Sequence, residues 1–160
     1  MPNLLITGAN RGIGLEFTRQ YAEAGWRVFA CCRSLDKSSA LKQLALQHTG
    51  SLSMHALDVA DFDQIDRLAT ELAGQEIDLL LNNAGIYLDA HDHGFGNTDY
   101  AAWMRTFRVN SMAPLRMAET FADQIARSQQ KKSSVSPARW AASPITPVVT
   151  VISIAQAKPH

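Results

Sequence analysis

Three glycines in the stretch TGANRGIG, Thr7 to Gly14, constrain what this sequence can fold into more than any other feature. They follow a short apolar run, Leu4 to Thr7. After them, Ile13, Phe17, Tyr21 and Ala24 recur at helical spacing until Gly25 ends the element. A strand that turns through glycines straight into a helix lets the backbone approach an anion and aims the helix N-terminus at it. In that setting the motif predicts a βαβ unit holding a pyrophosphate. The dinucleotide site is then expected at Gly8, Asn10, Arg11, Gly12, Ile13 and Gly14.

The same alternation continues. Val28 to Cys32 reads as a second strand, and Leu41, Leu44 and Ala45 stripe a second helix. Ser51 to Asp58 alternates, with Leu52, Met54 and Ala56 on one face of a third strand. Asp61 caps a third helix running through Leu72, Ile77 to Leu81 makes a fourth strand, and a longer helix begins near Thr98. Strands alternating with helices predict a doubly wound parallel α/β sheet, in the order 3-2-1-4, as one domain over residues 1–130. Met104 and Phe107 fall at helical spacing, as core or interface positions.

Composition excludes several classes. Fifteen basic residues balance fifteen acidic ones among 160, so nothing favours nucleic acid or a membrane surface as partner. The two cysteines, Cys31 and Cys32, are adjacent, which suits neither an ordinary disulfide nor a metal pair. The chain starts in a strand-like stretch with no charged leader, and a reducing cytosol is the expected location.

TGANRGIG, then Asp58 after the third strand and NNAG at Asn82 to Gly85 after the fourth, resembles the short-chain dehydrogenase/reductase family. GLEFTRQYAEAGWRVFACCR is most similar to its carbonyl-reductase-like and C-factor-like branch. The resemblance implies a Rossmann fold and a nicotinamide cofactor, with Asp58 at the adenine, Val59 among the cofactor-binding residues and the backbone of Asn83, Ala84 and Gly85 along the cofactor. Charge refines the choice of cofactor. An NAD site offers a carboxylate to the ribose 2′-OH, whereas an arginine accommodates a 2′-phosphate. Here the second strand runs into Arg33, with no acid until Asp36, and Arg11 approaches the same spot. NADP(H) is therefore favoured over NAD(H). Asp89, His91, Asp92 and His93 are metal-ligand types, but they fall where the family has a variable substrate-side loop, and no metal is expected.

The family resemblance also implies a catalytic Asn, a Ser and a Tyr-x-x-x-Lys pair acting on a small carbonyl or alcohol substrate. FRVNSMAP supplies the asparagine as Asn110, and Pro114 has no N–H to give its carbonyl. The Tyr–Lys pair is missing: no tyrosine follows Tyr100, and Ile154 stands four before Lys158. A tyrosine with pKa of about 10 needs a neighbouring cation to act near neutrality, and losing such a group costs about 10²- to 10⁴-fold. Ser153 in VVTVISI imitates the family's serine but lies too far along. The fold is thus expected to be incomplete on its C-terminal side.

Residues 131–160 differ in kind. No acid follows Asp123, prolines stand at 137, 144, 147 and 159, and only 148–154 looks strand-like, a candidate surrogate strand. Two readings stand. One is a genuine divergent or disordered tail. The other is a shifted reading frame: codons read across residue junctions give Gly at Trp140/Ala141. They permit Ser at Ser136/Pro137, Tyr at Ser153/Ile154 and Lys at Ala157/Lys158. The expectation is an NADP(H)-binding portion of a short-chain oxidoreductase, with impaired turnover. The alternative is a non-catalytic dinucleotide-binding or interaction module, dimerising through the fourth helix.

Overall fold

The structure, a computed structural model, describes residues 1–87 and 96–128 and the backbone of 150–151. Four strands, β1 (Asn3–Thr7), β2 (Arg27–Cys32), β3 (Leu52–Ala56) and β4 (Leu79–Asn82), form a parallel sheet. The order is β3-β2-β1-β4-β5, its first four strands in the expected sequence 3-2-1-4. Register runs from Asn3 opposite Arg27 to Thr7 opposite Cys31, with Leu4 to Ile6 facing Leu79 to Leu81 on the other side. β5 is the backbone pair Thr150–Val151, antiparallel to β4, with Val151 opposite Leu81 and Thr150 opposite Asn82. The rest of 148–154 lies outside the described residues.

The strands carry nearly continuous apolar runs because both faces are buried. On one face Leu4, Ile6, Val28, Ala30 and Cys32 pack under α1 (Gly12–Glu23) and α2 (Ser39–Gln47). On the other, Leu5, Phe29, Cys31 and Leu80 meet α3 (Phe62–Glu71), where Ile65 and Leu68 point inward. Met117 and Phe121, both fully buried, complete that layer from the C-terminal helices. Burying a side chain of this size contributes about 1.5–3 kcal/mol, which makes the two layers the dominant source of stability.

Four details differ from the sequence expectation. In α1 the residues against the sheet are Gly14, Thr18 and Ala22, small enough for close helix–sheet approach, while Ile13 is 50% exposed. β4 begins at Leu79 rather than Ile77. The Ile77 amide donates to the carbonyl of Gln124 at 3.1 Å, and that of Asp78 to Asn3 at 3.0 Å. The expected single long helix is three: α4 (Tyr100–Phe107), α5 (Ala113–Thr120) and α6 (Ala122–Arg127). A π-helical turn, Arg108–Met112, joins the first two, with the Ala113 amide reaching back to the carbonyl of Arg108. Pro114 explains it, since an amide absent from the ladder lets one extra residue be looped in. Finally, Met104 and Phe107, expected as core or interface positions, are exposed, which removes the core alternative alone.

The helices are tied down by named bonds. Asp61 caps α3, its carboxylate accepting from the backbone amide of Gln64; a hydrogen bond from the Gln64 side chain, with that cap, holds its pKa below the usual carboxylate range. Arg116 on α5 donates from one nitrogen, Nη2, to both carboxylate oxygens of Asp66 at 2.7 Å. Asp78, at the start of β4, takes the Asn3 amide at 2.6 Å and the Ser128 hydroxyl at 2.5 Å. That clasp closes the sheet end opposite the glycine turn.

Candidate dinucleotide site

The carboxyl ends of β1 to β4 open into one cleft of about 770 Å³. Its floor is the glycine turn. Gly8 has φ +68°, and a Cβ there would sit 2.9 Å from the Ala84 Cα. A Cβ on Gly14 would lie 2.1 Å from the carbonyl oxygen of Gly8 and 2.4 Å from Asn83 Nδ2. Only glycine fits either place.

Thr7 and Asn83 bind the floor to the far wall. The buried Thr7 hydroxyl accepts from the amides of Asn83 at 3.1 Å and Ala84 at 3.0 Å. In return Asn83 Nδ2 donates to the carbonyls of Thr7 and Gly8, both at 3.1 Å. The NAG turn and the glycine turn are therefore one unit. The third wall is equally fixed: the Asp58 carboxylate accepts from the Ala60 amide at 2.9 Å, and the Leu57 amide donates to Cys32 at 2.9 Å.

The structure brings Gly8, Asn10, Arg11, Gly12, Ile13, Gly14, Arg33, Asp58, Val59, Asn83, Ala84 and Gly85 together around this single cleft. Asn110 is not on its surface. Its Oδ1 accepts from the Ile86 amide at 3.0 Å and its Nδ2 donates to the Ile86 carbonyl at 2.8 Å. Both ends of the side chain thus latch the π turn to the segment after β4, while the adjacent Val109 reaches the cleft. Sequence reasoning missed Cys32, Ser34, Lys37, Leu57, Ile86 and Val109, which also line it. Lys37 was findable as a further cation in the loop after β2. The apolar four carry no motif. Asp89, His91, Asp92 and His93 lie outside the described residues, as do Ser153 and Lys158. Among the described residues no group of three or more His, Cys, Asp or Glu side chains could hold a metal ion.

Electrostatics favour an anion. The N-terminus of α1 has no acidic residue in its first turn and no side-chain cap at Arg11, which leaves its first amides to a ligand. Glu16, one turn on, is held by Arg19 and Gln20, and the Arg19 hydrogen bonds bring its pKa down to about 2. Among the described residues Asp58 is the single acid lining the cleft, against the cations Arg11, Arg33 and Lys37. Neither cysteine is disulfide-bonded, and burial pushes the Cys31 thiol up, away from thiolate chemistry. A glycine floor that excludes any Cβ, an uncapped helix N-terminus and a basic lip fit a phosphorylated dinucleotide.

The family model described as short chain dehydrogenase matches residues 2–135. The chain belongs to the short-chain dehydrogenase family. It is similar to Protein FixR of Bradyrhizobium diazoefficiens, 32% identical over 131 residues that cover 76% of this chain and 45% of that one. It is also similar to (+)-neomenthol dehydrogenase of Arabidopsis thaliana, at 35% over 138 residues, covering 73% and 47%. Among solved structures, the carbonyl reductase from Pseudomonas aeruginosa PAO1 in complex with NADP superposes with a TM-score of 0.71. That match is 32% identical and covers 78% of this chain and 56% of the other. This short-chain dehydrogenase chain therefore spans about half the length of the curated relatives it matches. The sheet and its helices are the family's α/β fold, and no helix among the described residues is long and apolar enough to cross a membrane.

Proposed function

We propose that this chain is the NADP(H)-binding portion of an oxidoreductase acting on a carbonyl or alcohol substrate. The observation that carries the cofactor choice is that Arg11 and Arg33 both line the cleft, with no acid at the end of β2. Guanidinium forks match a 2′-phosphate, whereas a 2′-hydroxyl asks for a carboxylate. The similarity to a carbonyl reductase solved with NADP supports the same choice. When bound, the nicotinamide group supplies or accepts a hydride. The residues of this chain would bind and orient it: the α1 amides would hold the pyrophosphate, Asp58 would contact the adenine with Val59 beside it in the site, and the Asn83–Gly85 backbone would lie along the cofactor. Asn110 positions Ile86 and thereby the cleft wall.

Calorimetry at fixed salt tests this reading. NADPH is expected to bind more tightly than NADH, and Arg33→Asp to narrow or reverse the gap. Equal affinities refute the cofactor choice. Because no Tyr-x-x-x-Lys is in frame, the purified 160-residue chain is expected to show little carbonyl reduction with cofactor bound. Robust turnover that disappears in Ser153→Ala would mean that residues beyond 130 build a site of their own. Nucleotide sequence across codons 130 to 137 decides whether that segment is frameshifted.

One observation favours the second reading, a dimerising module. Tyr100, Trp103, Met104 and Phe107 form an i, i+3, i+4, i+7 stripe on α4 that is wholly exposed, Trp103 at 64%. Sedimentation is expected to show a dimer that Trp103→Glu disrupts. The reducing cytosol remains our placement, on the strength of two free buried cysteines.

A further inference from the structure

We propose that Ser53, His55 and Glu71 form an acyl-transfer relay at the outer edge of the sheet, which cleaves short-chain carboxylic esters. None of the three lines the nucleotide cleft, and the inference does not depend on the NADP(H) reading. The two-residue period of β3 puts Ser53 and His55 on one face, and Glu71, the last residue of α3, meets them there. The Ser53 hydroxyl lies 2.8 Å from His55 Nε2, and His55 Nδ1 lies 3.0 Å from Glu71 Oε1. An ionised carboxylate only accepts, so the ring hydrogen sits on Nδ1 and Nε2 keeps its lone pair. Ser53 is then the donor in its bond to His55. In that arrangement the imidazole can take the hydroxyl proton and leave an activated nucleophile.

The ring is held in this orientation. His55 is 9% exposed, and Phe29 meets it edge-on with 6.0 Å between ring centroids. Glu71 stands in the last turn of α3, where a carboxylate opposes the helix dipole and no basic residue accompanies it. The imidazole is its partner there. Glu71 is itself mostly exposed and acts through the ring, as a positioning residue. Ser53 is half-buried, which leaves its hydroxyl open on one side. Among the described residues β3 is the last strand of the sheet on this side. Its ladder to β2 uses alternate residues: the Ser51 carbonyl accepts from Val28 at 2.7 Å, and the Leu57 amide donates to Cys32 at 2.9 Å. The amide of Met54, next after Ser53, therefore points to the open edge. A backbone N–H beside the nucleophile is a donor for the oxyanion of an attacked ester.

In the first step Ser53 Oγ bonds to the ester carbonyl carbon while its proton passes to His55 Nε2. The bond to the alcohol oxygen breaks, and the alcohol leaves with that proton. Water then attacks the acyl-serine and gives a proton to Nε2, which returns it to Ser53 Oγ as the carboxylic acid departs. A half-buried serine beneath a helix end admits an acetyl-sized group, which sets the substrate class.

Hydrolysis of p-nitrophenyl acetate by the 160-residue chain, compared with free imidazole at equal concentration, tests the relay. The chain is expected to exceed imidazole. Ser53→Ala is expected to lower the rate by about 10²-fold, and His55→Gln, which still hydrogen-bonds Ser53, to do the same. Glu71→Gln should lower kcat by about 3- to 10-fold with KM unchanged. A fluorophosphonate is expected to label Ser53 in the wild type, as read by peptide mass spectrometry, and to fail in His55→Gln. Circular dichroism unchanged in each variant separates these losses from misfolding. A rate no greater than that of imidazole, a rate kept in Ser53→Ala or His55→Gln, or a label on another residue overturns the proposal.

Discussion

Among single residues, Gly14 has the least latitude. Its missing side chain is what lets α1 lie on the carbonyl of Gly8 and the amide of Asn83. Both are fixed, one as backbone and the other by two hydrogen bonds, so neither yields to a methyl group. Gly14→Ala is expected to destabilise the chain by about 1–3 kcal/mol, seen as a lower urea midpoint, together with weaker nucleotide binding. Gly74→Ala, where a Cβ meets nothing within 4 Å, is the control and should leave both unchanged. Asn110 supports the site differently. Asn110→Ala removes a donor and an acceptor at once and leaves the Ile86 amide and carbonyl partnerless. The expected loss is about 1–3 kcal/mol, and Asn110→Asp, which keeps only the acceptor, should fall between the two.

At the scale of elements, α3 gives a pH-dependent test. The Asp61 carboxylate has a folded-state pKa below its unfolded value because it accepts from Gln64. A depressed carboxylate contributes stability that is fully present above its unfolded pKa, about 3.9, and is lost as pH falls through the folded value. Asp61→Asn should retain part of the cap and lose that acid-side dependence, which thermal melts between pH 7 and pH 3 can follow; an identical pH profile in the variant would contradict this role. Elements of this kind were legible in the sequence. A short polar residue before a periodic run, a glycine after one and unbroken apolar runs for doubly buried strands report local chemistry that tertiary structure seldom overrides. The π turn was only half legible: Pro114 announces a missing hydrogen bond, but not that an extra residue will be looped in. The inward face of α1 was misread for a related reason. Hydrophobicity locates the apolar side of a helix, whereas the sheet selected the small side, leaving Ile13 at the cleft. In the site, glycine and charge motifs were readable because their spacing is local. Ile86 and Val109 reach the cleft only through strand pairing and the Asn110 latch, which no spacing encodes.

For the molecule as a whole, the sheet is strong at its centre and thin at its β4 side. β1 is flanked by two parallel strands, while the outer side of β4 meets, among the described residues, only the two-residue antiparallel β5. Hydrogen exchange is expected to show Leu5 and Ile6 as the best-protected amides and Val151 well below them; equal protection would mean that the segment acts as a full strand. The cleft, for its part, takes its walls from four strand ends that lie far apart along the chain and meet only when the sheet has formed. A dinucleotide spanning them is a reversible cross-link available to the folded form alone. At about 100 times its Kd such a ligand adds about 2.7 kcal/mol, and the melting temperature is expected to climb with the logarithm of NADPH concentration. This couples the chain's survival to supply. Proteases in a cell poor in the nucleotide would clear it, and a cell rich in the nucleotide would let it accumulate, so that its abundance records the state of the cofactor pool.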